Sequence, residues 1–148
     1  MEELNISMLA IGIAVIAHFV LGFLWYTPIF GKVWAKEMGF DPNPSEEERK
    51  AMMSGMMKGM ISMLIGNFLL AYVFSHNIAA WDFVPGMDEM SKGESAMMAA
   101  MFTWLGFFLP TDAGTMFWEK RSFKLFAINT SYHLASLILV AIIITFMR

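Results

Sequence analysis

The chain has 148 residues, 57% of them hydrophobic, and a formal charge of -3; its mean hydropathy of +0.56 goes with an apolar share above the roughly 45–50% of soluble domains. The excess is gathered in four blocks, each close to the roughly 20 residues that cross about 30 Å of hydrocarbon, which excludes an ordinary soluble domain. The acidic balance and the lack of an arginine-rich or aromatic-basic motif exclude nucleic acid as a partner, and zero cysteines exclude disulfides, thiolate metal sites and cysteine nucleophiles.

The first predicted span covers 5–27. The segment "MEELNIS" is acidic where a secretory signal would be basic, and the apolar run exceeds a signal core, so the expectation is a retained span. Trp25 and Tyr26 are expected at headgroup depth as interface anchors, and Pro28 disfavours helical geometry at Thr27, so the span is expected to end there. Past Gly31, "KVWAKEM" mixes charge with Val33, Trp34 and Met38, an amphipathic turn suited to a membrane surface, with Trp34 as a third anchor. Residues 28–57 are read as a cytoplasmic interfacial connection.

Ser45 followed by Glu48 fits a capping box, with Glu46 and Glu47 favourable at the positive end of the helix dipole. No proline follows until Pro85, so one rod is expected from Ser45 to about His76, its span at 58–76. Gly55, Gly59, Ser62 and Gly66 form one small-residue face suited to close helix packing in lipid, hence to a homo-oligomer. Met52, Met56, Met60 and Met63 share a face that would suit Cu(I), but the other methionines spread round the helices as apolar filler. Residues 77–94 are read as an extracytoplasmic loop with His76 and Trp81 at its interfacial edge.

A third span is placed at 95–117, where Pro110 either kinks the helix or forces irregular backbone at membrane depth. Trp118 marks its surface end, beside the charged Glu119, Lys120 and Arg121. The fourth span, 125–147, is uninterrupted. Lys and Arg gather in the 28–57 connection and before the fourth span, which places both connections in the cytoplasm and both termini outside.

Aligned without gaps, residues 21–37 and 105–121 share Leu21/Leu105, Gly22/Gly106, Phe23/Phe107, Thr27/Thr111, Trp34/Trp118 and Lys36/Lys120. The repetition fits a duplicated helical hairpin whose copies are related by an axis along the membrane normal. It also fits two unrelated spans sharing an aromatic-basic stop. The element Gly-x-x-Trp-Tyr-x-Pro-x-Phe-Gly-x-x-Trp at 22–34, with "WLGFFLPTDAGTMFWEKRSFKLFAINTSYHL" before the last span, resembles the domain of unknown function 1761 family of small bacterial integral membrane proteins. The resemblance implies a compact four-span protein of the bacterial cytoplasmic membrane and carries no activity or catalytic residue.

Polar residues within spans are costly in lipid and turn inward. Counting along the helices at 1.5 Å per residue puts His18 about 10 Å inside Trp25, Asn67 and His133 about 13 Å from Lys58 and Lys124, and Asp112 about 9 Å from Trp118. Asn129 lies one turn from His133 and Tyr132 adjoins it. Ala14, His18, Gly22 and Trp25 share the inward face of the first helix, as do Asn129, His133 and Ser136 on the last. His18, Asn67, Asp112, Asn129, Tyr132 and His133 are thus expected in one layer. It can be read as structural hydrogen bonding, as a site for a small polar or protonatable ligand, or as a metal site using His18, His133 and Asp112. No P-loop, dinucleotide fingerprint, nucleophile elbow or H-E-x-x-H helix is present, so an enzyme and a cofactor are not expected. The expected class is an all-α four-transmembrane-helix bundle that binds or transports a ligand; the alternative is a non-catalytic accessory subunit of a membrane complex.

Overall fold

A computed structural model describes residues 4–86 and 89–148. Met1–Glu3 of the acidic N-terminus, and Met87 and Asp88 of the 77–94 loop, lie outside the described residues. Six α-helices follow in order: α1 (Met8–Leu24), α2 (Gly31–Glu37), α3 (Glu46–Trp81), α4 (Lys92–Thr103), α5 (Leu109–Trp118) and α6 (Phe123–Met147). The described residues contain no strand. Three helices are long and apolar enough to cross a membrane: α1 extended to Ile29, α3 and α6.

A serine starts each long helical segment. Ser7, Ser45, Ser91 and Ser122 accept backbone N–H groups of their first turns, satisfying donors that have no partner within the helix. Ser45 with Glu48 forms the expected capping box, and Ser91 with Glu94 forms a second that the sequence reading missed inside its loop. The Ser45 hydroxyl and N–H hold the Glu48 carboxyl below its ordinary value. A carboxylate lowered in this way supports the folded first turn above its unfolded pKa and loses that support as pH falls through the lowered value. Ser45→Ala should therefore speed hydrogen exchange at the Glu48 and Arg49 amides, both of which bond to Ser45, at neutral pH. In the unchanged protein the same amides should loosen only in acid, and equal exchange in both at neutral pH would contradict the box.

Two boundaries differ from expectation because of prolines. The first helix does not stop before Pro28 but continues as a π-helical turn, Trp25–Ile29, closed by the Phe30 N–H donating to the Trp25 carbonyl at 2.9 Å. A proline has no N–H to donate and crowds the carbonyl four residues back, and the wider turn accommodates both defects. Pro110 neither breaks the helix nor leaves irregular backbone. A π turn at Trp104–Phe108 precedes it and α4, the turn and α5 run on continuously, with Thr111 Oγ1 donating to the Phe107 carbonyl at 2.6 Å. The 77–94 loop is also shorter than expected, because Asn77–Trp81 extends α3 with Ile78 and Ala79 buried.

Helix α6 is the hub and packs against each of the other five. Its buried Leu137, Val140, Ala141 and Ile144 meet a core in which α4 contributes only alanines, Ala96, Ala99 and Ala100, whose size lets the helices approach closely. Within the chain, close packing falls on α4. Nothing among the described residues lies within 4 Å of a Cβ built at Gly55, Gly59 or Gly66, and Ser62 is exposed. At the far end of α6, Arg148 grips Asp82 with two hydrogen bonds of 2.7 and 2.8 Å, fastening it to the α3–α4 connection.

Candidate functional site

The inward stripe of α1 is Ala10, Ile11, Ala14, His18 and Gly22, a helical spacing that turns one imidazole into an otherwise apolar face. Asn67 is the first buried residue of α3. From α6, Tyr132 and Ser136 are buried and His133 is half-buried. These side chains, with Tyr26, Met63, Gly66, Leu70 and Phe108, line a cavity of about 280 Å³. Four of the six expected layer residues, His18, Asn67, Tyr132 and His133, thus reach one space.

The remaining two stand behind its wall. Asp112, 8% exposed, accepts from His133 Nδ1 at 2.8 Å. With the carboxylate accepting, Nδ1 carries the proton. Asn129 Oδ1 accepts from the Tyr26 hydroxyl at 3.1 Å, so it orients a cavity residue without lining the cavity. Tyr132 sits at the middle of an aromatic group, its ring 5.7 Å from His18, 5.0 Å from Tyr26 and 6.2 Å from Trp25.

Two polar atoms beside this cavity are not satisfied. His18 Nδ1 and Asn67 Nδ2 are buried without a hydrogen-bond partner among the described residues, and each residue is only 5% exposed. Such groups cost on the order of 1–3 kcal/mol when left unpaired. Both residues line a space large enough for water or a small solute, although the two atoms themselves lie beneath its surface.

Of the expected anchors, Trp25 and Tyr26 spend their polar atoms on α6 rather than on headgroups. Trp25 Nε1 donates to the Ile128 carbonyl at 3.1 Å. Trp104, the first residue of the second π turn, does the same to the Thr130 carbonyl at 2.9 Å. The ungapped repeat alignment pairs Trp25 with Leu109, yet Trp104 is the residue that plays the same part. Trp34 packs edge-on to Tyr26, and Trp118 is 89% exposed. Sequence reasoning missed Tyr26, Met63 and Phe108 as wall residues. For Tyr26 and Phe108 the signal was the proline after each aromatic run, since a π turn shifts what faces inward.

The metal reading does not gain a ligand set: among the described residues no three His, Asp or Glu side chains converge. Met52, Met53, Met56, Met57 and Met60 are exposed and only Met63 reaches the cavity.

A helical fold with, among the described residues, three helices long and apolar enough to cross a membrane defines a class, a membrane protein. The chain belongs to the family described as protein of unknown function, DUF1761, whose profile matches residues 9–145. No curated protein and no solved structure matches it.

Proposed function

We propose that the chain is a four-pass protein of the bacterial cytoplasmic membrane, with both termini outside, that binds or transports a small polar or protonatable ligand in the His18–Asn67–His133 cavity. The observation that carries this reading is the convergence of His18, Asn67, Tyr132 and His133 on one cavity of about 280 Å³, with His18 Nδ1 and Asn67 Nδ2 buried beside it without a partner among the described residues. A purely structural layer would have bonded them to each other or to a neighbour. The fourth pass is the continuous helix from Lys92 to Trp118, and the sidedness rests on the lysines and arginines of the α1–α3 and α5–α6 connections.

Because the chain has no cysteine, a single introduced thiol reports access cleanly. Ser136 is 1% exposed and lines the cavity, whereas Ala141 is 0% exposed and does not. In lipid vesicles, Ser136→Cys should react severalfold faster than Ala141→Cys with a methanethiosulfonate carrying an ammonium group. Equal, slow reaction at both would contradict a site open to small polar solutes.

A second reading, an accessory subunit that self-associates or holds a larger membrane complex, is favoured by α3. Every residue from 46 to 62 is exposed, and a helix of this length without a partner ordinarily needs one.

A further inference from the structure

Rings dominate the wall of the cavity. Tyr26, Phe108 and Tyr132 line it together with the imidazoles of His18 and His133. The Tyr132 ring centre lies 5.0 Å from that of Tyr26 and 5.7 Å from that of His18, and Phe108 stands 4.9 Å from His133. Two hydroxyl protons beside them are committed inside the chain, since Tyr26 donates to Asn129 Oδ1 and Ser136 Oγ donates to the His133 carbonyl. Both oxygens keep lone pairs, so the wall offers π faces and acceptors. No Lys or Arg lines the cavity, and none is buried among the described residues. The one buried acidic side chain among those residues is Asp112, which bonds His133 from behind the wall. With its carboxylate ionised, that pair is anionic beside a neutral imidazole and uncharged overall beside a protonated one. In neither state does it add net positive charge to the site.

Resting on the cavity reading above, we propose that the ligand is a small organic cation, a methylated ammonium ion, held among the rings of Tyr26, Phe108 and Tyr132 with the Asp112 carboxylate behind them. Aromatic faces attract a cation through the ring quadrupole, and most strongly where water is excluded. A charge taken out of water also needs an opposite charge nearby, and Asp112 supplies it in an interior without a buried Lys or Arg. An anion finds no fixed cation in the same wall. A metal ion finds no ligand set, because no three His, Asp or Glu side chains converge among the described residues. The methyl groups follow from the lining as well. An unsubstituted ammonium has three hydrogens to place on acceptors, whereas a methylated one presents a weakly polar surface that the rings, Met63 and Leu70 can meet. A space of about 280 Å³ admits such an ion without displacing the wall.

The test uses the full chain in maltoside micelles free of choline lipids, with radiolabelled choline as the probe. Its competitors are unlabelled choline and 3,3-dimethylbutan-1-ol, which has the same shape with carbon in place of the charged nitrogen. Choline should bind saturably and compete about thirtyfold better than the alcohol, the size of a desolvated cation–π attraction. Tyr26→Leu and Phe108→Leu should each shrink that ratio by about threefold, while Tyr26→Phe, which keeps the ring and loses the hydroxyl, should preserve it. Phe108 is only half-buried, so leucine there leaves the fold intact. No saturable choline binding, equal competition by the two probes, a ratio unchanged in both leucine variants, or displacement of choline by an equal concentration of sodium would each overturn the proposal. That failure is separable from failure of the cavity reading. Ser136→Cys would still react faster than Ala141→Cys if only the cation were wrong.

Discussion

Asp112→Ala should lower the unfolding free energy by about 1.5 kcal/mol, near the upper end for interhelical polar pairs in membranes. The typical pair contributes about 0.6 kcal/mol, because the separated helices find other partners. This pair exceeds that value because the acceptor is a carboxylate at 2.8 Å from His133 Nδ1, its side chain only 12% exposed, and ionised acceptors bond about twice as strongly. The substitution also frees Nδ1–H and removes the bond that orients the imidazole. A double-mutant cycle with His133→Ala, read by reversible unfolding in mixed micelles, isolates the contact. Coupling near zero would mean that the two side chains do not meet.

Gly22→Leu should cost about 2–3 kcal/mol, at the upper part of the range for inserting methylenes into a packed site. A Cβ at Gly22 already meets the tip of Met63 and lies 2.9 Å from the Tyr132 hydroxyl. The Met63 thioether is flexible and gives way. Tyr132 is not free to do so, since its ring is hemmed by His18, Tyr26 and Trp25. The side chain would also protrude beside the cavity, so thiol access at Ser136→Cys should fall along with stability. Wild-type stability and unchanged access in Gly22→Leu would show that α1 does not approach α6 as closely as described. By contrast Gly59, with open space around it, should accept alanine with little effect on the isolated chain.

Much of the site was legible because depth along a membrane helix can be counted. His18, Asn67, Asp112 and His133 lie on separate chain segments, yet equal distance from the charged or aromatic ends placed them at one level, and lipid leaves polar side chains only the interior to face. The Ser45 capping box and the inward stripe through His18 and Gly22 followed from local spacing alone. The π turns did not. Each inserts an extra residue into a turn, so positions after Trp25 and Trp104 no longer obey the helical wheel, and Tyr26 turns toward Asn129 where an unbroken count left it at the surface. The glycines of α3 were legible as a small-residue face, but not what meets it. Small residues state how closely a neighbour can come, and within the chain the close approach is the one that α4 makes with its alanines to α6.

The most direct test of the cavity as a binding site is a high-resolution density map of the full chain in lipid, inspected between His18, Asn67 and His133. The expected result is non-protein density within hydrogen-bond distance of the Asn67 and His18 side chains, with Asp112 still bonded to His133. A closed bundle in which His18 and Asn67 bond directly to each other, with no space between them, would contradict it and make the layer structural.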